Sequence, residues 1–415
     1  MPPARNWRRA TAVGLLMFGG VACAPTVAPP GGGTTTTSIA APPSSGAVSS
    51  WGYDGFGNLG NDAAYVDEYL PVAFAAPAGV QFTAISAGAF HTLALADNGT
   101  AYAAGRDDYG ELGNDAALAG QPTPVAVAAP AGVHFTAISA GGFHSLAIGD
   151  NGVTYSWGQD ADGQLGDNGA LADQATPVAV STPAGVHFTA ISAGYAHSLA
   201  IGSDGHAYSW GYDAFGELGN GTAGVNQALP APVSLPAGVV VNAIAAGGHH
   251  NLALGDNGIT YSWGWDAYGQ LGDSAPFADQ TTPVPVAAPA GVHFTQIATG
   301  DHHSLAIGDN GVTYSWGQDT HGQLGDDTTL ANQPLPVTVA TPAGVRFTQV
   351  AGGGFHSLAV GDDGMAYSWG YDDDGELGDN AAVLDHPTPT VAATPAGRPI
   401  IAVSAGYFHS LAIVT

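Results

Sequence analysis

Short runs in which apolar and polar residues alternate recur along this chain, separated by glycine-rich turns. Alternation of this kind marks half-buried strands. One stretch shows the unit. Val133-His134-Phe135-Thr136-Ala137-Ile138 and Ser145-Leu146-Ala147-Ile148 read as two strands, with Ala140-Gly141-Gly142 as the bend between them. Asp150-Asn151-Gly152 then leads into a third run, Val153-Thr154-Tyr155-Ser156-Trp157. An Asn-Gly pair between apolar runs is a hairpin signal, and both turn residues are expected at positive φ. Matching turns stand at Asn98-Gly99, Asp204-Gly205, Asn257-Gly258, Asn310-Gly311 and Asp363-Gly364. A polar loop follows Trp-Gly, and Pro124 to Val127 supplies a fourth short strand. Nothing has the spacing of a long amphipathic helix.

The unit repeats without insertion or deletion. Its histidine returns every 53 residues, as His91, His144, His197, His250, His303, His356 and His409. Trp51, Trp157, Trp210, Trp263, Trp316 and Trp369 keep the same period, and Ala104 fills the slot that lacks its tryptophan. A fixed period of this size signals a repeat architecture. Four short strands in each of seven units predict an all-β, seven-bladed β-propeller over residues 46–415. The first copy starts at its Trp-Gly strand, around Ala47 to Trp51, and the last stops at Leu411-Ala412-Ile413. Each end holds what the other lacks, so the terminal strands are expected to pair and close the ring.

Ile-Ser-Ala-Gly-x-x-His-Ser-Leu-Ala-Ile and Trp-Gly-x-Asp-x-x-Gly-Gln-Leu-Gly resemble the repeats of the regulator of chromosome condensation family, over residues 46–415. The resemblance implies seven-bladed propellers used as binding platforms. In that family one archetype is a nucleotide-exchange factor for a small GTPase that docks on chromatin. Secreted bacterial members of the β-lactamase inhibitory protein II type bind an enzyme through one face. The charge and the amino terminus of this chain depart from the archetype.

The chain has no lysine, and its formal net charge is −28. Removing the first 22 residues would take away Arg5, Arg8 and Arg9 and no acid, for a net charge of about −31. Such a surface repels nucleic acid and anionic lipid, because phosphate binding needs clustered Lys and Arg. The same bias suits the solubility of an exported protein. Arg5, Arg8 and Arg9 precede an apolar run, Ala12 to Ala22, that is too short to cross a bilayer. It ends at Cys23, the single cysteine. Residues 1–23 resemble a bacterial lipoprotein signal with Cys23 lipidated, although Gly20 stands where that pattern prefers leucine. The alternative is an ordinary cleaved secretory signal. Either way the protein is expected outside the cytoplasm, at the envelope or secreted, touching membrane only through the anchor. Residues 24–45, rich in Pro, Gly, Ser and Thr, read as a tether.

Seven equivalent histidines invite a catalytic or metal reading. Equivalent positions lie on a ring, too far apart to share a ligand. Within one strand His144 and Ser145 point to opposite faces, which excludes a nucleophile–base pair there. The histidines are therefore expected to be scaffold, and the protein is expected not to be an enzyme. Asp54, Asp107, Asp160, Asp213, Asp266, Asp319 and Asp372 are expected to bond backbone amides in the loop after Trp-Gly. Asp160-Ala161-Asp162-Gly163 and Asp372-Asp373-Asp374-Gly375 faintly resemble calcium loops. Equivalent loops carry Phe215-Gly216 or Tyr268-Gly269 instead, so no metal or cofactor is expected.

A site for one asymmetric partner must lie where the copies differ. The first variable position after Trp-Gly holds Tyr53, Arg106, Gln159, Tyr212, Trp265, Gln318 and Tyr371; the second holds Phe56, Tyr109, Asp162, Phe215, Tyr268, His321 and Asp374. The candidate protein-binding residues are Tyr53, Phe56, Arg106, Tyr109, Tyr212, Phe215, Trp265, Tyr268 and Tyr371, since exposed aromatics anchor interfaces. The alternative is that they pack between blades. Residues before the histidine also vary, among them Tyr195, His249, His302 and Tyr407, and their face is left open. Blade two, with Ala104 for tryptophan, is expected to be loosely packed or to have its gap filled by another residue. The function expected is that of a monomeric, exported protein-binding propeller. The alternatives are a carbohydrate or cell-wall binder and an exchange factor for a small GTPase.

Overall fold

The computed structural model describes residues 45–415 except 64, 117, 170, 276, 329, 381–383 and 395–397. The signal-like segment, Cys23 and the tether up to residue 44 lie outside the described residues. Among the described residues, seven four-stranded antiparallel sheets form the blades of a propeller. Blade 3 is typical, with strands Phe135–Ala140, His144–Gly149, Thr154–Gly158 and Gln174–Ala179 paired in sequence order. Blades 2 and 4 to 7 follow the same plan over residues 82–126, 188–232, 241–285, 294–338 and 347–391. The first strand of each blade touches its counterparts in both neighbouring blades, which puts it next to the axis. The second and third strands of blade 3 are buried throughout, while its outer strand is largely half-buried.

Blade 1 closes the ring. Ala47–Gly52 pairs antiparallel with His409–Val414, in register from Ala47 opposite Val414 to Gly52 opposite His409. Glu68–Ala73 and Ile400–Ala405 complete that sheet. The two chain ends thus supply two strands each, as the complementary truncation of the first and last copies predicts. The hairpin turns differ in one detail from the expectation. Gly152 takes positive φ (75°), as do its equivalents, but Asn151 does not. The loop between the second and third strands is four residues long, so one left-handed residue suffices. The Asn151 side chain instead accepts the Val153 amide at 3.1 Å.

The conserved motif side chains join each blade to the next. His91 Nε2 lies 2.9 Å from Ser145 Oγ of blade 3, and Ser145 Oγ donates to the Glu111 carbonyl of blade 2. Trp157 Nε1 donates to the same carbonyl at 2.8 Å. The serine's own hydrogen is committed to the carbonyl, so the histidine must be the donor and carries its proton on Nε2. Asn251 gives independent support. Its amide nitrogen bonds the Glu217 carbonyl, so its oxygen can only accept from His197. The chain of contacts runs through all seven junctions and ends with His409 on Thr92. Each histidine is fully buried, where an amide-type hydrogen bond contributes about 0.5–1.5 kcal/mol net.

The tryptophans fill the space between blades, and Phe188, Phe294 and Phe347 lie stacked on Trp210, Trp316 and Trp369. In blade 2 the small Ala104 is compensated. Phe74 occupies the position that is Val127, Val180, Val233, Val286 and Val339 in other copies, and it packs with Ala104 and Phe82 in one buried cluster. Its ring meets Phe82 edge-on at 5.8 Å. A large residue thus comes from the preceding blade where the usual large residue is missing. Ala104→Trp alone is expected to overfill this space and destabilise by about 1–3 kcal/mol. Phe74→Val alone should also destabilise, and the double variant should recover most of the loss. Denaturant unfolding of the four proteins checks this; strictly additive losses would contradict the exchange.

Candidate functional site

The glycine of each Trp-Gly pair sets up one face of the propeller. Gly105 sits at φ 112°, and a Cβ there would lie 2.5 Å from the Phe90 carbonyl. That close approach lets the next amide, Arg106, donate to the same carbonyl at 2.9 Å. The bond recurs from Tyr53 to Phe408, Gln159 to Phe143, Tyr212 to Ala196, Trp265 to His249, Gln318 to His302 and Tyr371 to Phe355. It ties the first variable position after Trp-Gly to the residue just before the ladder histidine. The two sets of variable residues therefore share one face.

The loop that carries them is held from beneath. The Oδ1 atoms of Asp54, Asp107, Asp160, Asp213, Asp266, Asp319 and Asp372 each accept the amide five residues on, at 2.9 or 3.0 Å. These aspartates organise the loop as the sequence predicts. In six of the seven loops a second brace comes from the residue four beyond the aspartate. Glu111, Gln164, Glu217, Gln270, Gln323 and Glu376 accept the amide of the second variable residue with a side-chain oxygen. Asp160 and Asp372 do the same work as their neighbours in loops without extra carboxylates. Among the described residues, no three His, Cys, Asp or Glu side chains gather as a metal site.

On this frame the variable side chains form a continuous aromatic belt. Tyr53, Phe56, Arg106, Tyr109, Tyr212, Phe215, Trp265, Tyr268 and Tyr371 are all half-buried. Each presents part of its surface to solvent and packs the rest against a neighbour, so exposure and inter-blade packing both hold. Phe56 contacts Phe90, Tyr109 contacts Phe143, and Trp265 contacts both Tyr268 and His302. Tyr371 meets Phe355 and Phe408. Tyr195, His249, His302 and Tyr407 join the same face, which the sequence left open. Phe90, Phe143, Phe355 and Phe408 belong to it as well, and sequence reasoning missed them. Their signal was the same divergence between copies, one residue before the histidine.

Arg106 is the cation of the belt. Its guanidinium stands 4.7 Å from the Phe143 ring and 5.1 Å from Tyr109, with Phe56 and Phe90 just beyond. Nε bonds Asp108 at 2.8 Å and faces Glu111 at 3.8 Å. Two buried acid–histidine contacts lie on the opposite side of the face. Glu217 meets His249 Nδ1 at 2.8 Å, and Asp301 lies 3.1 Å from His302 Nδ1. Burial pushes Glu217 up to about 7 and holds His249 and His302 down at about 3.

Within one strand the ladder histidine and its adjacent serine do not meet, as expected; each histidine instead reaches the serine, asparagine or threonine of the next blade. They are closed to any substrate by complete burial. Geometry made for catalysis would need an open nucleophile, and this serine spends its proton on a backbone carbonyl.

Comparison with known proteins agrees with this architecture. Residues 30–341 match the RCC1-like domain, and residues 347–376 and 363–413 match the regulator of chromosome condensation (RCC1) repeat. The chain belongs to the RCC1-like family. It is 33% identical to the ultraviolet-B receptor UVR8 of Arabidopsis thaliana over 334 residues, covering 80% of this chain and 74% of UVR8. It is 29% identical to the human E3 ubiquitin-protein ligase HERC2 over 89% of this chain, but spans only 8% of HERC2. The crystal structure of Prp20p from Saccharomyces cerevisiae, described with its binding to Gsp1p and histones, superposes with a TM-score of 0.79 at 26% identity. That match covers 89% of this chain and 92% of Prp20p.

Burial of the ladder gives the fold a specific acid response. It holds His303 down at about 3, with His302 nearby adding to the effect. A histidine with a folded-state pKa below its ordinary 6.5 supports the fold fully above that value and less as pH falls through it. Replacing it by a neutral amide, His303→Gln, should cost about 1–3 kcal/mol at pH 8. The cost should shrink between pH 6.5 and 4, because the variant has no buried imidazole to protonate. Urea unfolding of both proteins across that range measures the difference; a constant gap would contradict the neutral, buried assignment.

Proposed function

We propose that this RCC1-like propeller is an exported, non-enzymatic protein that binds another protein through the aromatic face. The observation that carries the reading is the continuous belt of half-buried, blade-specific aromatics held on one rigid rim. Aromatic rings fixed by their neighbours offer large contact area at little entropic cost on binding. Prp20p, whose structure is described with its binding to Gsp1p and histones, is a structural neighbour that binds proteins. The export half of the reading rests on the basic and apolar segment before Cys23, with the cysteine as a lipid anchor.

Several positions in the belt are placed to act together. Tyr212 and Phe215 surround His249, and Trp265 bridges His249 to Tyr268 and His302. Such a packed cluster has the character of an interface hot spot. The triple variant Tyr212→Ala, Trp265→Ala, Tyr268→Ala should lose roughly tenfold or more in capture of a partner from envelope extract or culture supernatant. Its melting temperature should stay close to that of the parent protein. Undiminished capture by the variant would contradict the assignment of this face, and collapse of the fold would make these rings structural.

A further inference from the structure

The cage around Arg106 shows how this face holds a cation, and the repeat offers a second sector built for one. Glu111, beneath Arg106, corresponds to Asn58, Gln164, Glu217, Gln270, Gln323 and Glu376 in the other blades. In blades 3, 5 and 6 a glutamine oxygen braces the loop amide as well as a glutamate does. A carboxylate is therefore not needed at this position for the loop to form. Where it occurs, its second oxygen is the informative atom. In blade 2 that oxygen faces Arg106, and in blade 4 it meets His249. In blade 7, Glu376 uses Oε2 to accept the Asp374 amide, while Oε1 is buried and has no hydrogen-bond partner.

The surroundings of Glu376 repeat those of Arg106 without the guanidinium. Tyr371 stands in the Arg106 position, 5.0 Å from the His321 ring and 6.2 Å from Phe355 and Phe408. Its hydroxyl donates to Asp373 at 3.1 Å. Tyr53 of blade 1 packs on Phe408 from the other side. Asp67 and Asp374 both raise the pKa of Tyr53 after its burial, so their charges converge on this junction. Of the three arginines among the described residues, Arg346 adjoins the Asn310-Gly311 turn and Arg398 binds the Thr415 carbonyl. Both lie away from the aromatic face, leaving Arg106 in blade 2 as its guanidinium.

We propose that the blade 7 sector receives an arginine or lysine side chain of the protein partner, stacked against Tyr371, Phe408 and Tyr53 and neutralised by Glu376 and Asp374. The inference rests on the protein-binding reading of the face and adds the chemistry of the partner. A planar guanidinium suits the site, because it can lie on an aromatic ring while donating sideways to carboxylates. Arg106 does both within the molecule.

The test uses the full chain and a fluorescent peptide of alternating Gly and Arg, with a Gly-Ser peptide of equal length, at about 0.15 M salt to screen general attraction. Binding is read by anisotropy. The Gly-Arg peptide should bind the parent protein, and Asp373→Asn, Asp374→Asn, Glu376→Gln together should weaken it at least tenfold. A control with the same number of acid-to-amide changes at the hairpin end, Asp97→Asn, Asp150→Asn, Asp309→Asn, should weaken it less than twofold. Equal losses in the two triple variants, or equal binding of both peptides, would overturn the proposal. Glu376→Gln alone keeps the acceptor for the Asp374 amide, so its melting temperature should not change while affinity falls about threefold; unchanged affinity would overturn it too. Suppose a captured protein partner is lost with the Tyr212, Trp265 and Tyr268 variant but kept by the acidic one. Protein binding by the face would then stand and this inference would fall.

Discussion

The structure depends on one buried exchange of hydrogen bonds at each junction between blades. A neutral histidine donates to a serine, asparagine or threonine of the next blade, which donates back to a carbonyl of the first. Five of the junctions also bring a tryptophan indole to that carbonyl, as does the junction closing onto Trp51. Sheets stacked only by apolar side chains could slide against each other, since burial is not directional. The relay fixes the register of every blade on its neighbour and leaves each donor in it satisfied. It also requires the imidazole to remain neutral, which complete burial enforces.

A frame built on the same plan at seven junctions leaves the outer ends of its loops free to differ. The positive-φ glycine, the looping aspartate and the Glu or Gln brace recur in the copies because they determine backbone path. The side chains they project are unconstrained by that path. Tyr53, Arg106, Trp265 and Tyr371 occupy equivalent places with different chemistry, and the amide bond to the neighbouring turn keeps all of them on one rim. Buried carboxylates at Glu217 and Glu376 are the expensive part of this face, since burial pushes both above the ordinary carboxylate range. Gln164 shows that the scaffold has a cheaper solution.

Much of the scaffold was legible in the sequence because it is set by local alternation repeated at a constant period. Strand order, blade number and the pairing of Ala47–Gly52 with His409–Val414 all follow from that period and from where the copies break off. Contacts between blades were harder to read. His144 meets Ser198 because the chain advances one blade and one residue, a spacing of 54 that single-strand geometry does not reveal. The role of Phe74 was hidden for a similar reason: it repairs a deficit at Ala104, thirty residues away, in another blade. The turn at Asn151-Gly152 departed from the expected form because loop length, and not the dipeptide alone, selects the turn. The site was legible as variable positions, but its continuity was not. It took the backbone bond from Arg106 to Phe90, and its counterparts, to show that two separate variable sets form one belt.

The relay between blades is tested most directly at Ser304, which accepts from His250 and donates to the Gln270 carbonyl. Ser304→Ala removes one oxygen and leaves a buried imidazole N–H without its acceptor. Equilibrium urea unfolding should show a loss of about 1–3 kcal/mol, with Trp316 still bonded to Gln270 and the folded protein's spectrum unchanged. An unfolding midpoint equal to that of the parent protein would contradict the relay as the interaction that joins the blades.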